Sequence, residues 1–96
     1  MAVDEKRKPK TIELVIVYGV NKELEVSESE TILEVKKEAL ALFEIDESEL
    51  GNFVLRAKVQ GDKDEQLDEA RTVESYKLHN KQKVTLAAGT PFGEGR

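Results

Sequence analysis

Apolar and polar residues alternate over 11–18, TIELVIVY, with Ile12, Leu14, Ile16 and Tyr18 on one side and Glu13, Val15 and Val17 on the other. Period-two alternation in β-branched residues predicts a strand, with the side of Leu14 and Ile16 facing the core. Gly19, Val20 and Asn21 supply turn chemistry, because Gly and Asn tolerate positive φ. Residues 22–26 return as a second strand with Leu24 and Val26 inward, so a hairpin is predicted. The period then changes. Ile32, Val35, Ala39, Leu42 and Phe43 recur at spacings of three and four and mark the buried stripe of a helix, with Leu33 and Leu40 off it. Thr31 and Glu34 form a capping box at its start: the Thr hydroxyl accepts the Glu34 amide and the Glu side chain reaches back. Residues 53–59 read as a third strand, Phe53 and Leu55 inward, Val54 and Arg56 outward. Residues 60–65, QGDKDE, read as a solvated turn. The stretch 66–86 begins with a short strand ending at Leu67, an acidic turn and Arg71-Thr72-Val73. A one-turn element at Ser75-Tyr76, then Leu78 and a polar turn over 80–83, lead to a closing strand over 83–88.

Composition narrows what these elements build. Ninety-six residues, 39% of them apolar, suffice for one hydrophobic core and are too few for two. A net charge of −5 argues against a nucleic-acid footprint. No cysteine is present, which excludes disulfides, thiolate catalysis and cysteine-ligated metal. No apolar run reaches membrane-spanning length, and MAVDEKRKPK at the start lacks the apolar segment of a signal peptide, so a cytoplasmic protein is expected, and the net charge with a modest apolar surface favours a monomer. That charged start, 1–10, reads as a disordered or frayed arm whose Lys6-Arg7-Lys8 run is either a solubilising tail or, less in keeping with the rest, a contact for an acidic partner or phosphates. The single histidine, His79, lies in a polar turn with no nucleophile partner, and one histidine makes no typical zinc site. The acids of 61–65 lack the regular ladder of oxygen ligands that calcium needs. No Gly-rich phosphate loop joins a strand to a helix. The expectation is a protein without catalytic residues, cofactor or metal.

The order Leu67, acidic turn, Arg71-Thr72-Val73, Ser75-Tyr76, closing strand is similar to the second half of ubiquitin. A separate block, Leu24-Glu25-Val26, Ser29, Thr31-Ile32 and Val35-Lys36, follows the ubiquitin order without a gap. Ile45 also falls where that chain turns away after its helix. The chain thus resembles the ubiquitin-like (β-grasp) family, including its bacterial members. The resemblance implies an α+β fold, a mixed four- to five-stranded sheet packed on one main helix over 11–88. The tail, 89–96, is then flexible. Lys36 matches a semi-buried helix lysine, for which Asp46 or Asp68 would be the partner carboxylate.

Two surfaces follow from the resemblance. Ubiquitin-like modifiers end in Gly-Gly, which threads an activating enzyme where the terminal carboxylate is adenylated before acyl transfer. This chain ends Gly89-Thr90-Pro91-Phe92-Gly93-Glu94-Gly95-Arg96, so Gly89, Gly93 and Gly95 form the candidate conjugation tail, with Gly93 as the conjugating end once residues 94–96 are removed. An activating enzyme, a processing peptidase and target proteins would be its partners. The other surface is the exposed sheet face: Val54 at its centre, Lys58 beside it, Val20 at the hairpin tip and Ala87 in the last strand, with outward Val15 and Val17 extending the apolar area. Three readings stand at this point: a protein modifier, a non-covalent interaction module using the sheet face or edge, and a sulfur carrier, which fits worst without a terminal Gly-Gly.

Overall fold

The computed structural model describes residues 10–61 and 63–89. The chain runs β1 (Thr11–Tyr18), β2 (Val20–Ser27), α1 (Ile32–Leu42), a 3-10 turn (Glu47–Asn52), β3 (Phe53–Gln60), β4 (Lys63–Gln66), a second 3-10 turn (Glu74–Tyr76) and β5 (Gln82–Ala88). The five strands form one sheet in the order β2-β1-β5-β3-β4. Its central pair, β1 with β5, is parallel, and the other pairs are antiparallel. A mixed sheet grasping one main helix is the ubiquitin-like β-grasp arrangement that the sequence predicts.

The core lies between α1 and one face of the sheet. Leu14, Ile16, Val26, Leu55, Ala57, Val84 and Leu86 come from the strands, and Ile32, Val35, Ala39 and Leu40 from the helix. Leu67, Val73 and Leu78 close it from the loop between β4 and β5. Each fully buried aliphatic of this set contributes roughly 1.5–3 kcal/mol relative to exposure. Leu40 is buried and Leu42 only partly so, the reverse of the predicted stripe. The buried face of α1 therefore runs 32, 35, 36, 39, 40, which places Lys36 inside it.

The start of α1 is fully capped. The Glu34 amide donates to Thr31 Oγ1 at 3.2 Å, and the Thr31 amide donates to Glu34 Oε1 at 2.9 Å. The Ile32 and Leu33 amides donate to the carbonyls of Arg71 and Glu69, so the β4–β5 loop satisfies groups that a helix start leaves open.

Two turns differ from expectation. Gly19 alone, at φ 76°, makes the β1–β2 turn, while Val20 already pairs with Tyr18 and Asn21 with Val17. Val20 is thus the first residue of β2 rather than a tip. Most of the stretch expected to be a turn over 60–65 is ladder: Gly61 turns at φ 72°, and Lys63–Gln66 pairs with β3 as an edge strand. The 3-10 turn at Tyr76 and the closing strand fall where predicted.

Candidate functional site

Alternation along the strands decides which side chains reach the face opposite α1. Because Leu14 and Ile16 point to the core, Glu13, Val15 and Val17 point away from it. The same logic turns Lys83, Thr85 and Ala87 outward from β5, Val54, Arg56 and Lys58 from β3, and Asp64 and Gln66 from β4. Register lines these into rows. One row crosses all five strands as Glu23, Val15, Lys83, Lys58, Asp64, and the next reads Asn21, Val17, Thr85, Arg56, Gln66. Ala87 and Val54 pair in a third row nearer the end of β5.

The expected surface residues do not gather into one patch. Lys58, Ala87 and Val54 share the outer face. Val20 lies on the opposite one, in alternation with Lys22, Leu24 and Val26, and is 58% exposed at the hairpin end. Val54 is not an exposed centre: it is 2% exposed, and a Cβ on Gly89 would sit 3.0 Å from its Cγ2. By register the centre of the face belongs to Arg56 and Thr85. Sequence reading missed Arg56 as a site residue because it was judged outward but not placed opposite Thr85, a pairing that only the β3–β5 register reveals. Gly89 is the last described residue and its amide donates to the Asn52 carbonyl at 3.1 Å, while Gly93 and Gly95 lie outside the described residues, as do residues 1–9 of the expected arm.

The central rows are basic. One register step beyond Ala57 and Val84 places Lys58 directly opposite Lys83, both exposed. Arg56 stands one row away, its Nη2 donating to the Asp64 carbonyl oxygen at 3.4 Å. Among the described residues neither lysine nor Arg56 has an ion pair. The acids at the β2 side are taken by Lys81, whose Nζ meets Glu13 Oε1 at 2.5 Å and Glu23 Oε2 at 2.8 Å. Glu13 and then Glu23 hold the Lys81 ammonium above its ordinary pKa. A shallow groove of about 330 Å³ runs over this area, lined by Val17, Asn21, Lys58, Asp64, Lys83 and Thr85, with Gln82 beneath.

Elsewhere the side chains serve the fold. Lys36 is 1% exposed; its ammonium donates to Glu69 Oε2 and, at 2.9 Å, to the Phe53 carbonyl. The expected partners were Asp46 or Asp68, but the loop that caps α1 brings Glu69 over the helix instead. On the exposed side of α1, Glu38 lies beside Glu30 and Glu34. Partial desolvation, then the charge of Glu30 and a hydrogen bond to it, push the Glu38 carboxyl up to about 7. The ring of exposed His79 meets the Asn80 carbonyl through Nδ1, at 2.9 Å. Among the described residues no group of three or more His, Cys, Asp or Glu could hold a metal ion, and no helix is long and apolar enough to cross a membrane.

No protein-family model and no curated protein matches this chain. Solved structures do. ATBAG1, in complex with HSP70, superposes with a TM-score of 0.66 at 23% identity, over 80% of this chain and 40% of that one, so the chain spans well under half of it. The ubiquitin-like domain of PLXNC1 matches over 83% of this chain and 100% of its own, with TM-score 0.69 and 15% identity. The ubiquitin of Caldiarchaeum subterraneum matches over 88% and 100%, with TM-score 0.67 and 23% identity. Two of the three are matched along their whole length by the sheet and helix described above, and the chain has the ubiquitin-like β-grasp fold.

Proposed function

We propose that the chain is a non-enzymatic protein-interaction module that docks partners on the outer face of its sheet. The carrying observation is that α1 covers one face only, while the other presents a groove with Val17, Thr85, Lys58 and Lys83 along it. Half-exposed Val15 and Val17 provide apolar contact beside exposed lysines, a mixture suited to a protein surface. A similar structure, ATBAG1, is in complex with HSP70, which supports a protein as the partner class. The module acts as a cytoplasmic monomer in this reading. A photo-crosslinking residue at position 85, expressed in the native host, is expected to trap a partner that the same residue at Lys37 on the helix does not. Equal trapping at both positions, or none at 85, removes the reading.

A second reading is a protein modifier. β5 ends at Ala88, and in sequence Gly89 is followed by Gly93 and Gly95. The match along the whole of an archaeal ubiquitin also supports it. In this reading a peptidase removes residues 94–96, and the Gly93 carboxylate attacks the α-phosphate of ATP with release of pyrophosphate. The acyl group of the resulting acyl-adenylate then passes to an enzyme thiolate with release of AMP, and an amine of a target protein displaces that thiolate to form an amide. A chain ending at Gly93 then supports ATP–pyrophosphate exchange by its activating enzyme and the full chain does not. Lack of exchange with both leaves the interaction module alone.

A further inference from the structure

We infer that the partner segment received by the outer face is acidic, its carboxylates seated between Lys58 and Lys83 with Arg56 beside them; this rests on the docking reading proposed above. Like charges directly opposite on neighbouring strands destabilise a sheet. Lys58 and Lys83 come into that relation one step past the last paired residues of β3 and β5, Ala57 and Val84, on two neighbouring inner strands of the sheet. Nearby acids do not resolve it. Lys81 already holds Glu13 and Glu23, and Asp64 pairs in register with Lys58 across β3–β4 but forms no ion pair with it. Among the described residues three cations therefore stand without an ion pair within two adjacent rows of a chain whose net charge is −5.

Local and overall charge together select the partner class. A long polyanion such as nucleic acid meets the cations here and repulsion from the rest of the surface, because charges separated by no more than about 8–10 Å still interact at physiological salt. A short acidic segment feels the three cations first. Val15 and Val17 flank Lys83 and Thr85 on the β1 side, so a segment that crosses the strands meets apolar side chains on β1 and cations on β5 and β3. A second copy of this chain is a poorer occupant. Of the outward acids its β1 and β2 would offer, Glu13 and Glu23 are already held by Lys81 in each copy, which leaves Glu25.

The test titrates the full, isotope-labelled chain with an octapeptide of alternating glutamate and valine, an octapeptide of alternating lysine and valine, and a twelve-nucleotide oligothymidylate. The expected result is amide shifts at Val15, Val17, Arg56, Lys58, Lys83 and Thr85 with the acidic peptide only, weakened by added salt. Reversing the pair as K58E/K83E, in a variant whose spectrum shows it folded, is expected to weaken binding roughly tenfold or more, since two exposed ion pairs are lost and repulsion replaces them. The variants K58Q and K83Q give an intermediate loss. Shifts at these residues with the basic peptide as well, unaffected by K58E/K83E, overturn the acidic partner while keeping the face as a docking surface. Equal binding of the oligonucleotide overturns the protein class, concentration-dependent shifts without ligand indicate a second copy instead, and silence at all six residues with every ligand overturns both the acidic partner and the docking face.

Discussion

Lys36 shows how a single side chain inside the buried stripe of α1 constrains its surroundings. Its aliphatic stem fills a core position while the ammonium reaches Glu69 and the Phe53 carbonyl, joining the helix to the β4–β5 loop and to the start of β3. Removing one member of a buried pair leaves the other uncompensated. Because the Glu69 side chain keeps 20% exposure, Lys36→Met is expected to cost about 2–3 kcal/mol, below the full penalty for a dry pair. The double change Lys36→Met with Glu69→Leu should recover most of that loss, and urea unfolding of the single and double variants measures both steps. The burial was implied by the resemblance to ubiquitin and not by the apolar stripe, and the partner was not legible at all, because Glu69 belongs to a loop whose position depends on the helix cap it supplies. Glu38 makes a second residue-scale prediction. Its carboxyl sits at about 7 in the fold against an ordinary 4.5, so the folded chain holds this proton more tightly than the unfolded one. The stability from that proton is complete below about 4.5 and is lost as pH rises to about 7. Glu38→Gln should therefore flatten the fall in the urea midpoint across that window, the difference from the parent chain vanishing at its acid end.

At the scale of elements, what was legible depended on whether an element carries its own signal. The start of α1 is written in four residues, Thr31 to Glu34, and the capping box is formed as predicted. Thr31→Ala removes the acceptor for the Glu34 amide and is expected to cost about 1 kcal/mol. Faster hydrogen exchange at Glu34, with core strands unchanged, would show that the loss is local. β4 carries no such signal. Its four residues, KDEQ, are all polar and pair on one side only, which suits an edge strand that must discourage further pairing but hides it among turn residues. The outer face was half legible for a related reason. Alternation identifies which residues face outward, but only the β3–β5 register shows that Arg56, not Val54, lies opposite Thr85. The lysine pair follows from the same register, and neutralising one member should raise stability by a few tenths of a kcal/mol even as it weakens acidic ligands. Urea unfolding of K58Q and K83Q in the absence of any peptide separates that gain from the binding loss.

For the molecule as a whole, the parallel pair β1–β5 joins the two ends of the described chain, and the fold cannot close until the last strand arrives. Leu14 and Ile16 near the start pack with Val84 and Leu86 near the end, so the core spans almost the entire domain in sequence. Contacts of such separation delay folding, because loop closure must precede the reward. The same topology predicts where the chain can be shortened. Every member of the core cluster lies between Leu14 and Leu86, and the Lys10 carbonyl and Gly89 amide are the outermost described groups with backbone partners. A chain of residues 10–89 should consequently unfold in urea with the same steepness as the full chain, since the slope follows the surface exposed on unfolding. Its midpoint should lie close to that of the full chain as well. A chain ending at Lys81 lacks β5, separates β1 from β3, and leaves Leu14, Ile16 and Leu55 without their central neighbours; its circular dichroism should show no cooperative melt. A cooperative melt in that shorter chain, or loss of one in residues 10–89, would place the limits of the domain elsewhere than at the two strands that meet in the middle of the sheet.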